Sequence, residues 1–151
     1  MLFYLIAIIV ALLDQAIKSL IALNLTVGQS LPLIGQLVKL TYVRNTGAAF
    51  SLFVGFSPYL AAINLVISFV VIYIYYRLPK NDRLTQTALA FILGGSLGNL
   101  ADRLFRSYVV DYIDVGFWPV FNLADIAINL GVALLAYKLL FGGKENAANP
   151  L

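Results

Sequence analysis

The chemistry available to this chain depends on its acidic residues, because the sequence contains no histidine and no cysteine. Among the acids, Asp111 lies in a short polar connection and Asp125 lies near the start of an apolar stretch. Two carboxyl groups that share one site divide into an ionised and a protonated member, which is the arrangement that general acid–base catalysis requires. The pair predicts carboxylate catalysis if the fold brings the two residues together.

The composition predicts a membrane protein, since 62% of the 151 residues are hydrophobic and only 11% are charged. Four apolar stretches approach the ~20 residues that a helix needs to cross a bilayer. We therefore expect one integral membrane domain over residues 1–151, an all-α bundle of four transmembrane helices. The stretches cover approximately residues 3–23, 58–76, 85–105 and 120–141.

Two longer connections are expected on the outer side of the membrane. In the first, residues 37–43 and 48–53 are rich in Val, Leu, Tyr and Phe and are separated by Arg44-Asn45-Thr46-Gly47. This pattern predicts a small β-rich flap over about residues 31–57. The second connection, residues 106–119, is expected to be a further loop on the same side.

The distribution of Lys and Arg predicts the orientation in the membrane. Five of the ten lie in the connection after the second stretch or near the C-terminus, and three lie in the two longer connections. The positive-inside tendency then favours cytoplasmic termini. Because Asp14 and Lys18 interrupt the first stretch, we expect a retained helix rather than a cleaved signal peptide. A net charge of +3 without a basic patch predicts no nucleic-acid partner.

Polar residues within the apolar stretches concentrate in the outer half of the predicted bundle. Such residues are costly in lipid, mark functional sites by default, and must face one another or a wet cavity. We therefore predict a polar pocket that opens outward. The residues are Asp14, Lys18, Asn64, Asn99, Asp102, Arg103, Asn122, Asp125 and Asn129.

The spacing of these residues also permits plainer roles. Asp14 and Lys18 are four positions apart with the acid first, which favours an ion pair that fixes helix packing. Asn122 and Asp125 are three positions apart, and Asn122 is suited to cap the fourth helix. Asp114, with Gly116 close behind it, is interpreted as an ordinary loop acid.

Other functional classes are compatible with intramembrane carboxylates. A proton-coupled carrier or channel subunit would use them, but carriers commonly place their site near the midplane with access from both faces. A purely structural subunit would not need so many charges in one half of the membrane. A hard cation such as Mg²⁺ on Asp111, Asp125 and Asp102 is a secondary alternative for catalysis.

Five segments of the chain occur in the order that one known family shows, namely Asp14-Gln15 with Lys18, residues 44–50, Gly94-Gly95 through Gly98-Asn99 to Asp102-Arg103, residues 109–112, and residues 121–125. Together they resemble the bacterial lipoprotein signal peptidases, also called signal peptidase II. The resemblance implies an aspartyl endopeptidase of the bacterial cytoplasmic membrane that cuts lipidated prolipoproteins just before the diacylglyceryl-modified cysteine. We also expect that the chain needs no cofactor or metal and acts as a monomer among membrane lipids.

The resemblance also implies roles for individual residues. Asp111 and Asp125 match the catalytic dyad of the family. Ile126 is a departure, because the family usually has serine directly after the second aspartate, and this puts a local hydrogen bond in doubt. Residues implied to bind substrate or to support the site are Asp14, Lys18, Asn45, Gly47, Asn99, Asp102, Arg103, Asn122 and Ala124.

Overall fold

Four helices and a three-stranded sheet form the fold in a computed structural model that describes residues 1–35, 37–47 and 57–141. The element order is α1 (Leu2–Asn24), β1 (Ser30–Ile34), β2 (Val38–Asn45), α2 (Ser57–Arg77), α3 (Arg83–Arg106), β3 (Val109–Asp114) and α4 (Leu123–Phe141). The expected strand over residues 48–53, and with it part of the predicted flap, lies outside the described residues.

The sheet differs from the prediction in two ways. Strand β2 pairs antiparallel with β1, so the hairpin begins earlier in the chain than the pattern indicated. Strand β2 also pairs antiparallel with β3. The connection expected to be only a loop, residues 106–119, therefore contributes a strand, and Asp111 lies within it.

Helix α3 is the centre of the bundle and has the most buried residues of the four helices. Its glycines allow close approach of the neighbouring helices, as the Gly94-x-x-x-Gly98 spacing indicates. A Cβ on Gly94 would lie 2.7 Å from the backbone oxygen of Ala7 in α1, and one on Gly95 would collide with the backbone oxygen of Ala124 in α4. These contacts set the distances at which α1 and α4 pack against α3.

Three of the four helices, α1, α2 and α4, are long and apolar enough to cross a membrane. Helix α3 has 24 residues but carries more polar side chains, of which Thr85, Ser96, Asn99 and Asp102 are buried. The structure thus has a bundle of four helices, of which three have the composition of membrane spans.

The sheet covers one end of the bundle and has two different faces. Tyr42, Val110 and Tyr112 pack with Ile21 and Leu25 at the end of α1. Side chains alternate along a strand, so the neighbouring residues of β2 and β3 point to the opposite face, where the cavity described below lies. At the other end of the bundle, the connection between α2 and α3 is tied to α4 by an ion pair between Asp82 and Lys138.

Candidate active site

Strand β3 fixes the position of Asp111. Helix α3 ends at Arg106, and Ser107 adopts a left-handed conformation with φ of 64° that turns the chain directly into the strand. Val110 and Tyr112 are anchored in the apolar cluster against α1. The Asp111 side chain between them therefore points to the cavity face of the sheet, although only 2% of the residue is exposed.

Two asparagines hold the Asp111 carboxyl group. Asn45 Nδ2 donates to Oδ2 at 2.9 Å, and Asn122 Nδ2 donates to Oδ1 at 2.6 Å. Asn45 is itself oriented, because its Oδ1 accepts from the backbone N–H of Gly47. Burial and the nearby charge of Asp125 raise the pKa of Asp111 to about 7, which places its titration near neutrality.

Side chains from three different segments accept hydrogen bonds from the backbone N–H groups in the first turn of α4. Asn122 Oδ1 accepts from the backbone N–H of Asp125 at 3.0 Å, and Asp125 Oδ2 accepts from the backbone N–H of Asn122 at 3.2 Å. This is a reciprocal capping box, so Asn122 is the helix cap that the sequence predicted. The N–H of Leu123 donates to Tyr112 Oη, and that of Ala124 donates to Asp14 Oδ1. The first turn is thereby fixed to α1 and β3 together.

The Asp125 carboxyl group receives its second hydrogen bond from Asn99 Nδ2, at 2.8 Å from Oδ1. Asn122 contacts both aspartates, through its side-chain amide to Asp111 and through its backbone N–H to Asp125. Asp111 and Asp125 therefore face one site, although they come from different elements.

A buried ammonium group sets the orientation of Asn99. Lys18 Nζ lies 2.7 Å from Asp14 Oδ2 and 3.2 Å from Asp102 Oδ2, and it donates to Asn99 Oδ1 at 2.8 Å. Because an ammonium group only donates, the Asn99 atom that faces it is the carbonyl oxygen, and the amide nitrogen faces Asp125. Lys18 is fully buried, and its three acceptors match its three protons.

Asp102 faces this ion network rather than the dyad. Its Oδ1 accepts from Arg106 Nη1 at 2.9 Å and from Gln15 Nε2 at 3.2 Å, and its Oδ2 accepts from the backbone N–H of Val110 at 2.9 Å. The last bond connects α3 to the strand that carries Asp111. Asp102 thus positions β3 as well as balancing Lys18.

Arg106 is a supporting residue that the sequence reasoning did not single out. Besides Asp102, it donates to Ser19 Oγ at 3.2 Å. Its spacing of four positions from Asp102 on one helix was the signal that could have identified it. Gln15 appeared only within a matching segment, and its bond to the backbone oxygen of Gly98 at 2.9 Å required the structure.

A cavity of about 880 Å³ opens beside the two aspartates. Arg103 lies in its wall, and its Nη2 is 3.4 Å from the backbone oxygen of Gly47. The remaining wall is mainly apolar, and Ile126 is part of it. Six of the sequence-predicted site residues line the cavity, namely Asn45, Gly47, Asn99, Arg103, Asp111 and Asp125.

The other five predicted residues stand behind the wall. Asp14, Lys18, Asp102, Asn122 and Ala124 are all almost completely buried. For Asp14 and Lys18, the predicted ion pair is present. Asp114 accepts from Thr41 Oγ1 at 2.8 Å and from the backbone N–H of Gly116 at 2.9 Å, away from the dyad. Among the described residues, no three acidic side chains come close enough together to hold a metal ion.

Comparison with known proteins shows to which family the chain belongs. The model of the family described as "Signal peptidase (SPase) II" matches residues 6–141. The chain therefore belongs to the signal peptidase II family. Members of this family are aspartic peptidases, so the carboxyl pair is in an enzyme of the expected class.

Relatives that match the chain over nearly their whole length are named lipoprotein signal peptidases. The lipoprotein signal peptidase of Moorella thermoacetica is 42% identical over 148 residues, covering 98% of this chain and 99% of that protein. The lipoprotein signal peptidase of Bacillus subtilis strain 168 is 38% identical over 150 residues, covering 96% of this chain and 97% of that protein.

Two solved structures of bacterial membrane enzymes share the fold of this chain. A bacterial membrane enzyme solved by the in meso method at 2.3 Å matches with a TM-score of 0.89 and 29% identity, covering 99% of this chain and 93% of the other. A second, at 1.9 Å, matches with a TM-score of 0.82 and 32% identity, covering 92% of each chain.

Proposed function

We propose that this chain cleaves the signal peptide from diacylglyceryl-modified prolipoproteins just before the lipidated cysteine, with Asp111 and Asp125 as its catalytic dyad. Family membership makes it a signal peptidase. The observation that carries the residue assignment is the position of both carboxyl groups on the wall of one cavity, where Asn122 binds each of them.

The two aspartates have different environments, and this suggests a division of roles. Asp111 is nearly inaccessible and its pKa is raised to about 7 by burial and by the charge of Asp125, so it is suited to hold a proton and donate it to the scissile carbonyl oxygen. Asp125 is in the first turn of α4, where the helix dipole favours a carboxylate. It is suited to act as general base on the attacking water.

Hydrolysis then follows the usual sequence for a carboxyl pair. Asp125 takes a proton from water as the oxygen attacks the carbonyl carbon, and Asp111 protonates the carbonyl oxygen to give a tetrahedral diol. The C–N bond breaks when the Asp125 carboxyl returns its proton to the leaving amine and Asp111 recovers the proton from the diol oxygen. Arg103, on the same wall, supplies fixed donors for a substrate carbonyl group.

The asparagines support this chemistry by presenting only donors to the dyad. Asn45 and Asn122 turn their amide nitrogens to Asp111 because their oxygens accept backbone N–H groups. Asn99 turns its nitrogen to Asp125 because its oxygen faces Lys18. These bonds keep the two carboxyl groups in place, which is the role that we propose for these residues with Asp14, Asp102 and Ala124.

The membrane position that we propose has four spans in one domain and both termini in the cytoplasm. The sheet, the cavity and the starts of α2 and α4 then lie at the outer face, where Gly47 and the flap would contact the substrate. The chain would act as a monomer on substrates that share its bilayer, with their acyl chains remaining in the outer leaflet.

The test of this function compares two precursors with the same sequence. One carries the diacylglyceryl group on its cysteine and the other does not, and purified enzyme in detergent is given each. We expect cleavage of the modified precursor alone, with the lipidated cysteine as the new N-terminus by mass spectrometry. Equal cleavage of both precursors, or cleavage at another bond, would refute the assigned specificity.

A further inference from the structure

Asn129 is a polar residue of the cavity wall that the proposed mechanism does not use. It lies one turn after Asp125 on α4, is exposed, and lines the cavity together with Ala133 one turn further on. Residues four apart share a helix face, so Asp125, Asn129 and Ala133 form a strip along this wall. Asn129 is the polar position that follows the dyad on that strip.

Asn129 lies on a different side of α4 from the residues that pack closely against α3. In this packing, Ala124 and Ile128 meet Gly95, and Gly131 meets Ala88 and Ile92. Within the parts of the chain that the structure describes, the hydrogen bond of the Asn129 side chain stays within its own helix, from Nδ2 to the backbone oxygen of Asp125 at 2.9 Å.

This bond leaves half of the Asn129 amide available. The backbone oxygen of Asp125 only accepts, so the atom facing it is Nδ2, and Oδ1 with the second N–H remains for another partner. The neighbouring wall residues Ile126, Leu130 and Ala133 offer no polar side-chain group. A polar side chain that has no partner on another helix is costly within an apolar span and marks a functional site by default.

The available acceptor and donor match a peptide group, which has one N–H and one C=O. Resting on the proposed function, we propose that Asn129 binds a main-chain peptide group of the signal peptide on the N-terminal side of the scissile bond. Four helical residues rise about 6 Å, and an extended chain covers that distance in about two residues. In the proposed membrane position, α4 runs from Asp125 at the outer face toward the cytoplasmic side. The peptide group that Asn129 binds therefore belongs to the part of the signal peptide that lies within the membrane, before the scissile bond.

The experiment compares Asn129→Leu with a matched control. Ser68→Ala is the control, because Ser68 Oγ makes the same kind of bond to the backbone of its own helix, to Asn64 O at 2.8 Å, but outside the cavity. With a lipidated precursor peptide, Asn129→Leu should raise KM and lower kcat/KM about five- to tenfold. Its Tm should not fall, because Leu favours helix more than Asn does. Ser68→Ala should keep the KM of the wild type.

A second substrate separates peptide recognition from recognition of the lipid esters. In this substrate an ester replaces the peptide N–H two residues before the scissile bond. Wild-type enzyme should prefer the amide several-fold, and Asn129→Leu should treat both alike. An unchanged KM in Asn129→Leu, a retained preference for the amide, or a lower Tm with a lower kcat would each overturn the proposal. If wild-type enzyme cleaves neither lipidated substrate, the proposed function fails instead.

Discussion

At the level of single residues, the proposed role of Asp111 as proton donor predicts an upper pH limit for catalysis. The pKa of this carboxyl group is raised to about 7 by burial and by Asp125. If Asp111 donates a proton, kcat/KM should fall as the pH rises through that value, because the donor is lost.

The measurement is the pH profile of kcat/KM with a lipidated peptide at constant ionic strength. Asp114→Asn is the control, since this acid lies on the same strand but binds Thr41 and Gly116 away from the dyad. The control should keep the wild-type profile. A wild-type rate that stays constant on both sides of a pH of about 7 would contradict the assigned role of Asp111.

At the residue level, the sequence best predicted the catalytic candidates, because few of its residue types can carry out acid–base chemistry. Without histidine or cysteine, carboxyl groups were almost the only acid–base candidates, and the structure brings Asp111 and Asp125 to one cavity. The orientation of Asn99 could not be predicted, because it depends on a Lys18 ammonium group that approaches from another helix.

At the level of elements, the ion pair between Asp14 and Lys18 connects α1 to the dyad. Lys18→Met would leave Asp14 buried without its cation, and breaking a buried pair in this way costs about 3–5 kcal/mol. Adding Asp14→Asn should recover part of that loss, because the second substitution removes the unpaired charge. The free energies of unfolding of the two single variants and the double variant form a mutant cycle.

Additive effects of the two substitutions on the free energy of unfolding would contradict this prediction. If the two substitutions lower the free energy of unfolding by independent amounts, the pair is not coupled, and Asn99 would not be oriented through it. Restored stability without restored activity in the double variant would agree with the structure, since Asn99 would still lack the ammonium group that orients it.

The packing of α3 against α4 gives a second test at this level. The Cβ of Gly95→Ala would meet the backbone oxygen of Ala124, which cannot move without shifting the first turn of α4. We expect a lower Tm and a loss of activity of about tenfold or more, since small displacements of catalytic groups are costly. Ala101→Ser, at a partly exposed position of α3, is the control. Wild-type values in Gly95→Ala would contradict the close approach.

The elements differed in how well the sequence predicted them. The four helices follow from long apolar runs, and each expected stretch overlaps an observed helix. The strand β3 was missed because the whole connection, residues 106–119, was interpreted as a loop. The alternation of apolar Val110 and Tyr112 with polar Asp111 is typical of a strand and was the available signal. The strand forms, however, because it pairs with β2, which is distant in the sequence.

For the whole molecule, the proposed function depends on the convergence of distant segments. Asn45, Asn99, Asp111 and Asp125 line one cavity, and the ion network of Lys18, Asp14 and Asp102 lies behind them. The sequence predicted an outward polar pocket from the position of these residues along the spans. It could not predict the capping of α4 by α1 and β3, because that capping is a product of tertiary packing.

The most direct test of the dyad is the cleavage of a lipidated prolipoprotein by the purified variants Asp111→Asn and Asp125→Asn. Asp114→Asn serves as the matched control, and Tm is measured for each variant to establish folding. We predict that each dyad substitution lowers kcat about a hundredfold or more, while the control cleaves at the wild-type rate. Wild-type cleavage by a folded Asp111→Asn or Asp125→Asn enzyme would contradict the proposed catalytic pair.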